Sequence, residues 1–180
     1  MTEIVDAVRG AVGEPRLLVN AAGIFFLHDL VSVTEETFDQ IIGVNLKGTF
    51  LMCKAFIPGF VFAGGGAIVN IASTAGLHAG LRRPIYAASK AAVIMLTRSI
   101  TVDYGGEGIR ANCVCPGLID TPMADWLRSD PVALREWEKN LPAQRIGTVA
   151  DIASAVAFLA SEEASYAHGT TLVVDGGGLA

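Results

Sequence analysis

Four short apolar runs recur along this chain, and the stretches between them carry helical spacing. The runs are "RLLVN" (16–20), "AIVNIA" (67–72), "IRANCVC" (109–115) and "TLVVDGG" (171–177). Strands of this kind, alternating with helices, predict a parallel sheet covered on both faces and joined by right-handed crossovers. Apolar spacing at Ile4, Val5, Val8 and Val12 predicts a first helix, closed by Gly13 and Pro15. Thr34, with Glu35 and Glu36 behind it, caps a helix expected to run unbroken to about Phe60. Pro84 opens another that ends near "YGGEG", and Thr148 caps a last one to about Ala160. Residues 118–147 are mixed and predict short helices forming an apolar lid, with Trp126, Leu127, Trp137 and Leu141.

Composition narrows the partners. Hydrophobic residues make up 52% of the 180 and charged residues 17%, which fits a sheet buried on both faces. A net charge of -5 gives no basic footprint, so nucleic acid is not expected. Residues 55–81 contain no Asp, Glu, Lys or Arg, and that length could span a bilayer. Pro58, Gly64–Gly66, Asn70 and Ser73 interrupt the run, so it reads as a helix end, a turn and a buried strand, with no membrane span. The start is acidic and amphipathic, unlike a signal peptide. Three cysteines at 53, 113 and 115 indicate a reducing, cytoplasmic setting. Cys113 and Cys115 have no His or further Cys nearby and read as same-face strand positions, so no metal site is expected.

In such sheets the ligand cleft lies beyond the carboxyl ends of the strands. Those ends are "NAAG", "ASTAG", "CPGLIDTP" and "DGGG", all small or polar. Beside them, "YAASK" sets Tyr86 and Lys90 one helical turn apart on a shared face. Lowering a tyrosine pKa from about 10 to near 7 takes on the order of 4 kcal/mol, which a close cation in a partly dry cleft can supply. The outcome would be a general acid/base for an alcohol or alkoxide, with Ser73 donating a hydrogen bond to the same oxygen. His28, His78 and His168 show no partner pattern, and of these only His78 is placed to face a substrate.

These motifs together resemble the classical short-chain dehydrogenases/reductases. "YAASK" is similar to their YxxxK motif, with the serine of "IVNIAS" ahead of it. "LLVNAAG" resembles their NNAG-type motif with Ala21 in place of the second asparagine; "VNLKG" offers the helix asparagine, Asn45. "NCVCPGLIDTPM" and "VVDGG" resemble the proline-glycine loop and the C-terminal strand signature.

The resemblance implies an oxidoreductase that uses NAD or NADP on a small alcohol or carbonyl compound and forms homo-oligomers. It implies Tyr86 as acid/base, Lys90 lowering its pKa while bonding the nicotinamide ribose, Ser73 steadying the reacting oxygen, and Asn45 holding a water linked to Lys90. Asn20, Ala21 and Gly23 would border the adenosine side. Pro116, Gly117, Ile119 and Thr121 would meet the nicotinamide.

One expected part is missing. A dinucleotide fingerprint places G-x-G-x-x-G between a strand and a helix start, and these 180 residues contain no such arrangement. Gly64–Gly66 precedes a strand, and Gly176–Gly178 has no helix after it. The expected architecture is therefore a Rossmann-like α/β doubly wound parallel sheet, N-terminally truncated, with about four strands and helices on both faces. Residues 1–180 form one partial domain, with "RLLVN" turned into a sheet edge. The alternative is a non-catalytic fragment that serves only as an assembly or binding module.

Overall fold

The computed structural model describes residues 2–180. Four parallel strands form one sheet: β1 (Leu17–Asn20), β2 (Gly66–Ile71), β3 (Ile109–Pro116) and β4 (Thr171–Val174), lying side by side in that order. The helices are α1 (Thr2–Val12), α2 (Glu35–Ile42), α3 (Thr49–Phe62), α4 (Pro84–Tyr104), α5 (Asp125–Arg128), α6 (Pro131–Lys139) and α7 (Val149–Ala160).

Side chains alternate across a strand, so each strand feeds two cores. On one face Leu18, Ile68, Ile109 and Ala111 pack against α1, α3 and α4 through Val5, Phe56, Phe60 and Ile100. Further along that face, Val93 and Ile94 of α4 meet Cys113 and Cys115. On the other face Val69 and Val114 meet Leu159, Ile152 and Val156 of α7. Two helical stretches, Glu35–Phe62 and Pro84–Glu107, are long and apolar enough to cross a membrane. Both instead lay buried side chains on this sheet.

Three expectations change. The strand order advances in one direction, yet α3 and α4 lie on one face and α7 on the other. The last crossover therefore has the opposite hand to the first two; its long segment before α7 passes over the strand ends and can reach the far face. The helix expected from Thr34 to Phe60 is broken by a π-helical turn at Gly43–Gly48, which carries Asn45. "RLLVN" is buried only at Leu18, because α7 covers β2, β3 and β4 and leaves the β1 sector of its face open.

Candidate active site

Beyond the carboxyl ends of the strands opens a cleft of about 640 Å³. Its floor is the end of β2, where Ser73 caps a short turn by accepting from the Ala75 N–H at 3.1 Å. Pro84 at the start of α4 spares an N–H that would have no partner there, and the helix then presents Tyr86 and Lys90 to the cleft. Both side chains are nearly buried. The Lys90 ammonium donates to the Ile71 carbonyl at 2.9 Å and lies 5.8 Å from the centre of the Tyr86 ring. Phe25 packs edge-on against the same ring at 5.0 Å.

The electrostatics differ from the sequence expectation. Burial pushes the Tyr86 phenol above its ordinary value, opposed by the Ser73 hydroxyl and then by the Arg83 guanidinium, while Cys115 adds to the rise. Burial also draws Lys90 down to about 8, with Cys113 and Cys115 opposing it. The ammonium thus does not pull the phenol down in this state. Both groups sit in a dry pocket that favours their neutral forms.

Asn45 is fully buried at the π turn. Its Nδ2 donates to the Ile24 carbonyl and to Ser89 Oγ, each at 3.0 Å, and its Oδ1 accepts from the Ile24 N–H at 2.8 Å. Both amide hydrogens are therefore used, and Oδ1 keeps one lone pair free. A Cβ on Gly23 would sit 3.3 Å from Lys90 Nζ and 3.4 Å from Asn45 Oδ1, so glycine keeps the space beside both groups open.

Of the residues expected from the sequence, Ser73, Tyr86, Lys90, Ala21 and Gly23 line the cleft, as do Pro116, Gly117, Ile119 and Thr121. Asn45 is not among the residues lining the cleft. Asn20 does not line it: its Nδ2 turns sideways to Asn70 Oδ1 at 2.8 Å and to Cys53. Asn70 in turn donates to Thr97 Oγ1, so Asn20 starts a polar ladder between the sheet and α4. Trp126 and Trp137 stack edge to face at 6.1 Å and roof the cleft with Leu141, whereas Leu127 turns into the core. His78 reaches the cleft; His28 and His168 do not. Among the cleft residues that went unread in the sequence are Phe25 and Arg83. Arg83 had a signal, since with Arg82 it ends the uncharged run 55–81.

A parallel sheet with this cleft at its strand ends is a Rossmann-like framework with its ligand site where such sheets place it. A family profile described as Enoyl-(Acyl carrier protein) reductase matches residues 1–178. The 2-(R)-hydroxypropyl-CoM dehydrogenase of Xanthobacter autotrophicus is 46% identical over 175 residues, which is 96% of this chain and 70% of that protein. A gluconate 5-dehydrogenase from Burkholderia cenocepacia, solved with NADP and tartrate, matches with a TM-score of 0.95 at 34% identity, covering 99% of this chain and 70% of that one. Ligand-free aldohexose dehydrogenase from Thermoplasma acidophilum gives 0.92 at 40% identity, covering 99% and 73%. The chain belongs to the short-chain dehydrogenase/reductase family of NAD(P)-dependent oxidoreductases.

Proposed function

We propose that residues 1–180 form the catalytic and substrate-binding part of an alcohol dehydrogenase or carbonyl reductase, with Tyr86 as acid/base. The observation that carries this is the convergence of Ser73, Tyr86 and Lys90, from the end of β2 and one face of α4, on a single cleft. The residues present suit the nicotinamide half of the cofactor. Gly23 leaves space beside Lys90, and the turn from Pro116 to Thr121 borders the same cleft. A bound nicotinamide would give or accept the hydride. Tyr86 Oη hands a proton to the substrate oxygen during reduction or takes one during oxidation. Ser73 Oγ holds that oxygen by a hydrogen bond. Lys90 offers its remaining N–H groups to the ribose, and the free lone pair on Asn45 Oδ1 can hold a water beside it.

In its setting the chain acts as one domain, cytoplasmic, on a small alcohol or carbonyl compound, as a homo-oligomer free of membrane and nucleic acid. The reducing compartment is supported by three free, buried cysteines. Tyr86→Phe tests the reading, since it removes one hydroxyl and no packing. Turnover of a panel of secondary alcohols and ketones with NAD(H) and NADP(H) should fall by about a hundredfold or more. It is measured on this chain and on the chain joined to the glycine-loop segment of a relative. A Tyr86→Phe enzyme that keeps most of its kcat overturns the assignment.

A further inference from the structure

Three charged side chains border the cleft: Lys90, Asp175 and Arg83. Two are committed. Lys90 donates to Ile71, and both Asp175 oxygens accept backbone N–H groups, from Gly177 and Leu179, each at 2.9 Å. Arg83 is not. Among the described residues its Nε is buried without a hydrogen-bond partner, while the neighbouring Arg82 pairs with Asp29. A buried guanidinium N–H left unpaired is costly, so a binding partner that supplies an acceptor is strongly favoured.

The surrounding chain leaves room for this group. Gly80 has no backbone need to be glycine, yet a Cβ built there would overlap the Arg83 guanidinium. Arg82 is held in the left-handed region, at φ 59, immediately before Arg83. Arg83, Tyr86 and Lys90 follow one another at spacings of three and four along α4 and its cap, with Tyr86 in the middle. If the Lys90 end meets the nucleotide, the Arg83 end faces the part of the substrate beyond its reacting carbon.

We propose that Arg83 binds an anionic group of the substrate, so that the enzyme acts on a short hydroxy or oxo compound bearing a carboxylate, sulfonate or phosphoryl group. A planar guanidinium fits such oxygens with paired hydrogen bonds. This rests on the Tyr86 reading of the same cleft.

Binding is measured first, because it does not depend on turnover. The chain's two tryptophans, Trp126 and Trp137, both line the cleft, so their fluorescence reports its occupancy. The probes are acetoacetate, 2-oxopropanesulfonate and 2-oxopropylphosphonate, against methyl acetoacetate as the neutral match. At least one anion should bind about tenfold or more tighter than the ester, the gain expected of a charge-assisted pair. The order among the three identifies the anion. Arg83→Gln should erase the preference, Arg83→Lys should retain part of it, and Gly80→Ala should weaken it by displacing the guanidinium. Thermal melting confirms that each variant is folded. Equal binding of anions and ester, no binding of any anion, or a preference that survives Arg83→Gln overturns the proposal. Turnover is followed separately: reduction of the neutral ester that depends on Tyr86 but ignores charge defeats only the Arg83 inference. Tight anion binding with no turnover dependent on Tyr86 defeats only the catalytic reading.

Discussion

Lys90 is a cation held largely out of water at the wall of the cleft, and that has a measurable consequence for folding. Its pKa falls from 10.5 to about 8 chiefly because burial penalises the charged form. The unfolded chain therefore binds more protons between those values, so this group makes stability rise with pH across that window and imposes its full penalty below pH 8. Lys90→Met removes the penalty. Its stability relative to the wild type should be most favourable at pH 7 and should decline by up to about 3 kcal/mol as pH passes from 8 to 10.5. Chemical denaturation of both proteins at several pH values measures this. A difference that does not vary with pH would mean that the ammonium is hydrated in the folded state. Tyr86 and Lys90 were legible in the sequence because a helical repeat fixes which residues share a face. The direction of the Tyr86 shift was not legible, because depth of burial depends on Phe25 and on strand ends far away in the chain.

At the scale of elements, the caps were readable and the long-range ties were not. Thr148 and Asp151 form the capping box of α7, each side chain bonding the other's backbone N–H, and Arg145 holds the Asp151 carboxyl well below the usual carboxylate range. Such patterns span a few residues and announce themselves. The other end of α7 is closed by a residue some fifty positions away: the Arg110 guanidinium on β3 donates to the carbonyls of Leu159, Ala160, Ser161 and Ala164. In the sequence Arg110 is only one residue of the run "IRANCVC". Arg110→Met keeps the aliphatic stem but strands these acceptors, and should cost about 2 to 3 kcal/mol in denaturant unfolding. A loss below about 0.5 kcal/mol would show that water replaces the clamp without penalty. The π turn at Asn45 was illegible for the same reason as Arg110. "VNLKG" has no local signal for an extra residue in the turn; the three bonds to Ile24 and Ser89 come from other segments.

For the molecule as a whole, the four parallel strands and the cleft address followed from the alternation of apolar runs with helical segments. The burial of Leu18 on an otherwise exposed edge strand did not. Helix α7 shields the faces of β2, β3 and β4, while on β1 Leu17 and Val19 remain 46% and 39% exposed on that same side. Among the described residues the other long edge of β1 has no neighbouring strand, and the strand carries no proline or charge to repel one. An apolar face beside an open edge favours pairing with another chain. The isolated 180-residue chain should therefore self-associate beyond any defined oligomer and bind NAD(H) or NADP(H) weakly, since these 180 residues hold no G-x-G-x-x-G turn between a strand and a helix to take the pyrophosphate. Val19→Lys places a charge on the exposed face without touching the core residue Leu18. Light scattering coupled to size exclusion should show the variant shifting towards smaller species, with its melting temperature nearly unchanged. Joining the glycine-loop segment of a relative ahead of residue 1 should do the same and also raise dinucleotide affinity. If Val19→Lys leaves the mass distribution as it was, association runs through another surface. If the unmodified chain is a monomer that binds dinucleotide at micromolar concentration, the pyrophosphate has a site elsewhere in these 180 residues.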